Sequence, residues 1–182
     1  MATKPIGVGI IGANPERGWA KNAHIPALKT LPKHYELRAL STSRRESAEA
    51  ASRELGVALA FDNAAALVAR PEVDLVVVSV KVPQHRELVT AALHAGKDVF
   101  CEWPLGNGLA EAEQLAALAR ERGVRTLVGL QARAAPGVRY VRDLIANGFV
   151  GDLPYNRASH PVKQADGSTK WEPNTEKDVA WW

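Results

Sequence analysis

The chain has 182 residues, of which 46% are hydrophobic and 24% charged, so it is long enough for one domain with a core and part of a second. Its net charge is only +3 and its Lys and Arg residues are spread along the sequence, which argues against a dense basic surface for nucleic acid. The single cysteine excludes an internal disulfide bond, and with neither a signal peptide nor about 20 consecutive apolar residues we expect a cytoplasmic protein that does not span a membrane.

The first part of the chain alternates between short apolar runs and segments rich in Ala, Glu and Arg, which predicts alternating strands and helices. In chain order we predict strand 6–11, helix 19–31, strand 35–40, helix 45–55, strand 58–61 and helix 64–69. Pro26 interrupts the first helix because it has no amide hydrogen to donate, and Gly56 ends the second helix.

The alternation continues in the second part of the chain. In chain order we predict strand 75–80, helix 84–95, strand 99–101, helix 109–122, strand 126–130 and helix 138–147. The run LVVVSV at 75–80 is almost entirely apolar, which is typical of a central parallel strand buried on both faces. With right-handed crossovers, this pattern predicts an α/β fold with a doubly wound parallel sheet of the Rossmann type.

The character of the sequence changes after Gly151. One further strand is predicted at 153–160, and the chain from Pro161 onward is polar and turn-like although it carries Trp171, Trp181 and Trp182. Apolar area left in water costs a free energy of about 25 cal/mol per Å². We therefore expect a tail with three indole rings to pack against another part of the protein. We therefore predict a dinucleotide-binding domain at 1–150 and the start of a second α/β domain at 151–182. The alternative is a single domain whose tail folds back on its core.

A candidate phosphate-binding loop, GIIGANPERGWA, follows the first strand. A dinucleotide loop needs a glycine for the tight turn, a small residue near the diphosphate and a glycine where helix and strand pack closely. Gly12 fits the first role and Gly18 the third, whereas Asn14 occupies the middle position and tolerates left-handed backbone geometry. Amides at the start of the next helix would face the phosphates. The alternative is an ordinary strand-to-helix turn.

The segment LSTSRRESAEA after the second strand bears on the choice of cofactor. A site that prefers NAD has an acid here, which binds the ribose hydroxyls. This chain instead has hydroxyl donors at Ser41, Thr42 and Ser43, followed by Arg44 and Arg45, and Arg binds phosphate through its planar donors. The pattern favours NADP over NAD. The alternative is that both arginines are solvated in the first turn of the next helix.

Two long segments carry a family resemblance. VDLVVVSVKVPQHRELVTAALHAGKDVFCEWPLG and GVRTLVGLQARAAPGVRYVRDLIANGFVGDL resemble consecutive motifs of the glucose–fructose oxidoreductase/inositol dehydrogenase (Gfo/Idh/MocA) family, in order and spacing. The resemblance implies a Rossmann domain, a larger C-terminal α/β domain through which the chain forms a homo-oligomer, and hydride transfer between NAD(P) and a sugar or polyol. The segment that supplies the family's catalytic Asp and His has no match in these residues.

The resemblance and the residue patterns together give two sets of candidate site residues. The cofactor-binding candidates are Gly12, Asn14, Gly18, Trp19, Ser41, Thr42, Arg44, Arg45, Val80, Lys81, His85 and Glu102. The candidates beside the reacting atoms are Glu102, Trp103, Gln131 and Arg133. Val80 to His85 match the family loop beside the nicotinamide ribose, and Glu102 and Pro104 match the ends of its Glu-Lys-Pro motif.

Trp103 stands where the family has lysine. An indole cannot act as an acid or base, although it can stack on a nicotinamide or a sugar face. The motifs GxxxxxGWAxxxHxPA, EWxL and LQxR also resemble the galactose-regulon repressor branch of the family, in which tryptophan replaces this lysine and the protein regulates by contacting a protein partner. Two interpretations stay open: an oxidoreductase, and a dinucleotide-binding regulator without turnover. For Trp103 itself, the alternative is that it fills core volume.

The remaining polar candidates carry less weight in the sequence. His85 is as compatible with a structural role as with a contact to the cofactor ribose, and His24 and Lys21 are as compatible with a helix cap or a solvated surface as with a place near the cofactor loop. Cys101 lacks a visible partner for nucleophilic chemistry, which favours a buried thiol. No cluster of His, Cys and Asp has the spacing of a metal site.

Overall fold

The computed structural model describes residues 4–149 and the backbone of the strands 159–163 and 169–173. The chain divides into two compact units, Met1–Leu130 and Gln131–Trp182. Among the described helices, none combines the length and the apolar character that crossing a membrane requires.

The first unit alternates strands and helices along its whole length. Its elements in chain order are β1 (Ile6–Ile11), α1 (Ile25–Thr30), β2 (Tyr35–Ser41), α2 (Arg45–Leu55), β3 (Leu59–Phe61), α3 (Ala64–Val68), β4 (Leu75–Val78), α4 (His85–His94), β5 (Asp98–Glu102), α5 (Leu109–Arg122) and β6 (Thr126–Gly129). Gly56 and Gly123 follow α2 and α5 with φ of 70° and 63°, the left-handed conformation that ends a helix.

The strands form one six-stranded sheet in the order β3-β2-β1-β4-β5-β6. Every neighbouring pair in this sheet is parallel. The predicted doubly wound Rossmann-type sheet is therefore confirmed. The strand order reverses between β1 and β4, and in such sheets ligands bind in the crevice at the carboxyl ends of the strands at this point.

A hydrophobic cluster covers each face of the sheet, because successive strand residues point to opposite faces. Ile11, Val76 and Val78 pack with α3, α4 and α5 on one face. Ile10 and Val77 pack with α1 and α2 on the other. Burial on both faces explains why the sequences of β1 and β4 are continuously apolar. The crevice therefore lies at the ends of two strands that are packed on both sides.

Several predicted element boundaries differ from the structure by one or two residues, and two of these differences bear on the site. The predicted helix 19–31 consists of a π-helical turn, Ala20–His24, followed by α1, with Pro26 in the first turn of α1. The predicted strand 75–80 ends two residues early at Val78, and a 3-10 turn, Val82–Gln84, precedes α4. Pro83 lies in that turn, where it needs no amide hydrogen.

The second unit contains a 3-10 turn (Gln131–Ala134), helix α6 (Pro136–Ala146) and the antiparallel strands β7 (Ser159–Lys163) and β8 (Thr169–Pro173). The prediction of a turn-like chain from residue 161 onward is wrong for the residues of these two strands, which pair with each other. The predicted strand at 153–160 is described only from Ser159, and Trp181 and Trp182 lie outside the described residues. The domain boundary near residue 150 stays a prediction.

Candidate functional site

A cleft of about 600 Å³ lies at the carboxyl ends of β1, β2 and β4. Half of the predicted cofactor-binding residues line it, namely Gly12, Asn14, Ser41, Thr42, Arg44 and Val80. Because β1 and β4 are the strands between which the sheet order reverses, this cleft occupies the position where doubly wound sheets bind nucleotides.

Gly12 directly follows β1 in a conformation that only glycine adopts easily. Its φ is +94°, and a Cβ atom there would lie 2.4 Å from the Ser79 carbonyl oxygen and 2.7 Å from Cγ1 of Val80. The Gly12 amide donates to the carbonyl oxygen of Ser41 at 2.9 Å. The loop after β1 is thus held against the ends of both β2 and β4, and the positive φ of Gly12 agrees with the tight turn predicted for the first glycine.

Asn14 organises the loop through its side chain rather than through left-handed backbone geometry. No described residue other than glycine has a positive φ, so Asn14 does not use the left-handed geometry that its residue type tolerates. Pro15 explains this, since a proline favours extended backbone in the residue before it. The Asn14 Oδ1 accepts hydrogen bonds from the amides of Glu16 at 2.8 Å and Arg17 at 3.1 Å.

Gly18 also departs from its predicted role. A Cβ at this position would meet no atom within 4 Å, so close helix–strand packing is not the reason for glycine; the reason is its φ of +105°. The amides of Ala13, Asn14, Glu16 and Arg17 are already bonded within the loop or to Ser41. Of the amides after Gly18, that of Asn22 donates to the Gly18 carbonyl oxygen at 3.2 Å, whereas those before it lie in a first turn, which lacks preceding helical carbonyls to accept them.

The end of β2 presents one arginine to the cleft. The hydroxyls of Thr42 and Ser47 both donate to the Arg44 carbonyl oxygen at 2.8 Å, which fixes the backbone there, and the Arg44 side chain lines the cleft. Arg45 instead bonds Glu49 at 3.0 Å and its side chain is 83% exposed. The structure thus directs Arg45 to Glu49 and solvent, as the solvated alternative expects, and its contact with the cofactor stays a prediction.

Three charged residues of the cleft were missed from the sequence: Arg17, Asp62 and Glu87. Arg17 belongs to the extra length of the loop, and Asp62 follows β3 directly. Since the carboxyl ends of parallel strands share one edge of a sheet, residues just after β3 could have been named as neighbours of those after β2. Glu87 lies in the first turn of α4 and has no such signal.

His85 has a structural place rather than an open one. The ring is fully buried, with Nε2 3.0 Å from the Val80 carbonyl oxygen and Nδ1 2.9 Å from that of Pro104. It therefore ties the chain after β4 to the chain after β5, and the predicted contact of His85 with a ribose does not suit this buried ring. Lys81, at the start of the same loop, is exposed.

The Glu-Trp-Pro motif lies at the end of β5. The Glu102 carboxylate contacts Nε2 of His24, whereas Lys21 bonds Glu54 on the surface at 3.0 Å. Trp103 is 60% exposed, so the alternative that its indole fills core volume is wrong. Trp19, at the end of the loop after β1, is 51% exposed.

Two further candidates, Gln131 and Arg133, lie in the 3-10 turn that begins the second unit. Both are exposed. Among the residues that the structure describes, no group of three His, Cys, Asp or Glu side chains is arranged to hold a metal ion.

Cys101 is buried, and its Sγ lies 3.3 Å from Nδ1 of His85, a neighbour that the sequence did not show. Burial, and to a lesser extent the negative charge of Glu102, raise the pKa of the Cys101 thiol to about 12. The thiolate is the reactive form of cysteine, so this thiol is a poor nucleophile at neutral pH. The expected buried thiol is confirmed.

Cys101 should resist alkylation while the protein is folded. At pH 8 a pKa of about 12 leaves roughly one thiolate in 10⁴, so iodoacetamide should label the native chain far more slowly than the same chain in urea. Mass spectrometry of timed samples measures both rates. Equal labelling of native and unfolded protein would contradict the burial of this thiol.

The chain matches one protein family over most of the first unit. Residues 6–130 match the family described as an oxidoreductase family with an NAD-binding Rossmann fold, Gfo/Idh/MocA. The dehydrogenase AclE of Aspergillus oryzae is 43% identical over 160 residues, which are 83% of this chain and 43% of that protein. The galactose/lactose metabolism regulatory protein GAL80 of Saccharomyces cerevisiae is 32% identical over 157 residues, which are 82% of this chain and 36% of that protein.

Solved structures show the same architecture. A super-repressor mutant of Gal80p from Saccharomyces cerevisiae superposes with a TM-score of 0.75 at 30% identity, covering 88% of this chain and 43% of that one. The 3-ketoreductase KijD10 from Actinomadura kijaniata, in complex with TDP-benzene and NADP, superposes with a TM-score of 0.74 at 32% identity, covering 82% and 46%. The chain thus spans less than half the length of these relatives.

Proposed function

Since this chain belongs to the Gfo/Idh/MocA oxidoreductase family and contains an NAD(P)-binding Rossmann domain, we propose that it forms the cofactor-binding part of an NADP-dependent oxidoreductase that acts on a sugar or polyol. The observation that carries the proposal is the cleft at the point where the strand order reverses. Gly12 brings the loop against Ser79 there and leaves no space for a side chain. A dinucleotide diphosphate fits at such a loop because backbone can approach it closely.

The proposed preference for NADP rests on the charges at the adenosine side of the cleft. Arg17 and Arg44 line this cleft, and within the described part of the chain neither forms an ion pair with an acid. Asp62 and Glu87 line it as well, so the two guanidinium groups are matched in number by two carboxylates. The preference therefore depends on direct contact of Arg17 and Arg44 with a 2′-phosphate, which guanidinium groups bind through their planar donors, and not on the net charge of the cleft.

At the other end of the proposed site, Glu102 and Trp103 follow β5. The cofactor supplies the hydride acceptor or donor, and the chain's own residues bind and orient. Trp103 presents an exposed indole that offers a flat surface for a nicotinamide or a sugar ring. Gln131 and Arg133 are proposed to contact the substrate, and the acid–base groups are proposed to come from the second domain.

Hydride transfer tests the oxidoreductase proposal. The protein, with its second domain complete, is mixed with NADPH and a panel of sugars and polyol-derived ketones, and the absorbance of the reduced nicotinamide is followed. Turnover with at least one of these substrates supports the proposal. A protein that binds NADPH but leaves the absorbance unchanged with every substrate contradicts it.

A second candidate function is regulation without turnover. Two observations favour it. Trp103 replaces the lysine that would assist proton transfer, and such positioned assistance is worth about 10²–10⁴-fold in rate. A regulatory protein, GAL80, is also among the relatives. Regulation of this kind predicts a protein partner whose affinity changes when NADP binds. Co-purification from the source cells with and without NADP tests it, and an absence of any partner in both states contradicts it.

Three further parts of the proposal concern the whole protein. We infer that the residues after 150 begin a second α/β domain, that copies of the chain associate through that domain, and that the protein works in the cytoplasm. The relatives are more than twice as long as this chain, which supports a further domain. Light scattering of the complete protein measures the association directly.

A further inference from the structure

We propose that His24 is a positioning residue that holds the Glu102 carboxylate in place for the ribose hydroxyls of the nicotinamide half of the cofactor. The inference rests on the proposed function, since it concerns how the same site orders its cofactor. The contact between His24 and Glu102 joins two segments 78 residues apart: the helical turn that follows the loop after β1, and the end of β5.

Glu102 lies where a ribose-binding acid belongs. It is the last residue of β5, which pairs with β4 next to the point where the sheet order reverses. Ligands lie outside the carboxyl ends of strands at this place, and a carboxylate there can accept hydrogen bonds from ribose hydroxyls. The remainder of the dinucleotide would occupy the neighbouring cleft, which adenosine-side residues such as Arg44 line.

The His24 ring is well placed to fix this acid. Its Nε2 contacts Oε1 of Glu102, and the two side chains are only 15% and 16% exposed. An ionised carboxylate only accepts hydrogen bonds, so Nε2–H is the donor. The ring also packs edge-on against Phe100, with centroids 5.2 Å apart and an interplanar angle of 80°, so it contacts two residues on the same side of β5.

The π-helical turn puts His24 on this side. The Ile25 amide bonds the Ala20 carbonyl oxygen, which closes a turn one residue larger than an α-helical turn. Without the extra residue His24 would rotate by about 100° around the helix axis, away from β5. Turns of this kind are rare and frequently occur at functional sites. Lys21, the other basic residue of the turn, bonds Glu54 and does not compete for Glu102.

The consequence is a link between the two halves of the site. The turn begins just after Gly18, beside the proposed diphosphate, and ends at His24, which holds the acid proposed to bind the nicotinamide ribose. Removing His24 should therefore weaken ligands that contain this ribose and spare ligands that lack it. A purely structural role for His24 would weaken both kinds of ligand alike.

Calorimetric titrations test this with NADPH and with adenosine 2′,5′-bisphosphate, which lacks the nicotinamide ribose. His24→Ala should weaken NADPH about 10- to 100-fold, the value of a hydrogen bond to a charged group, and leave the bisphosphate unchanged. His24→Gln keeps a donor and should restore most of the NADPH affinity.

The double variant His24→Ala/Glu102→Ala should bind NADPH no more weakly than Glu102→Ala, since the two act as one unit. His34 is an exposed histidine, so His34→Ala is the matched control.

Equal weakening of both ligands by His24→Ala, or additive losses in the double variant, overturns the inference while leaving the proposed function standing. If His24→Ala does not fold, the comparison of His24→Gln with Glu102→Gln decides, because only the latter should then lose NADPH affinity. Failure of the wild-type chain to bind either ligand overturns the proposed function itself.

Discussion

Gly12→Ala is expected to abolish cofactor binding and to lower the free energy of unfolding by about 4 kcal/mol, the sum of backbone strain and overpacking. The added Cβ would lie 2.4 Å from the backbone oxygen of Ser79, at a φ of +94°. The Ser79 oxygen belongs to the backbone and cannot rotate away as the end of a flexible side chain could. The clash is therefore relieved only if the loop moves away from β4. That movement would raise the floor of the cleft on which the diphosphate is proposed to lie.

Urea unfolding followed by circular dichroism, together with NADPH titration of the folded variant, measures both effects. Gly123→Ala is the matched control: its φ is +63° and a Cβ there meets no atom within 4 Å, so it should cost only about 1 kcal/mol and leave binding unchanged. A Gly12→Ala variant that binds NADPH as the wild type does would show that the loop after β1 does not contact the cofactor.

Arg44→Ala should change which cofactor the protein prefers. The Arg44 side chain lines the cleft, and hydrogen bonds between charged groups are worth about 1.5–3 kcal/mol, or about 10- to 100-fold in affinity. NADPH affinity should fall by this factor, while NADH, which lacks the 2′-phosphate, should bind as before.

The neighbouring arginine provides the control for this experiment. Arg45 points to Glu49 and is exposed, so Arg45→Ala should alter neither affinity, although it removes the same charge from the protein. Equal losses in the two variants would indicate long-range attraction rather than contact. Equal losses of NADPH and NADH in Arg44→Ala would contradict recognition of the 2′-phosphate.

The sheet itself was predictable because its determinants are local. Continuous apolar runs mark strands that are buried on both faces, and the alternation with helices leaves a parallel sheet as the architecture. Gly56 marked a helix end correctly, since a left-handed residue there favours glycine. The role of Gly12 followed in the same way from its place at the end of a strand.

The details of the loop were less predictable because two local rules compete there. Asparagine tolerates a left-handed backbone, but Pro15 keeps Asn14 out of that region, and the side chain then accepts the amides of Glu16 and Arg17. Giving more weight to the Asn-Pro pair would have predicted this outcome. Gly18 shows the complementary error, in which a conformational requirement was interpreted as close packing.

Contacts between distant segments had no signal in the sequence. His24 and Glu102 are 78 residues apart, and the side that His24 faces depends on a π-helical turn that local propensity does not predict. The burial of His85 between two carbonyl oxygens likewise depends on how the chain after β4 meets the chain after β5. Such pairs follow from strand order and register, which only the folded sheet defines.

Calorimetric titration of the chain with NADPH and NADH shows whether the loop after β1 and the cleft beside it hold a dinucleotide, on which every other proposed role depends. We expect saturable binding of one dinucleotide per chain, with NADPH the tighter ligand. Titrations that release no heat with either dinucleotide at millimolar concentration, from a chain shown to be folded, would contradict a cofactor site in this cleft.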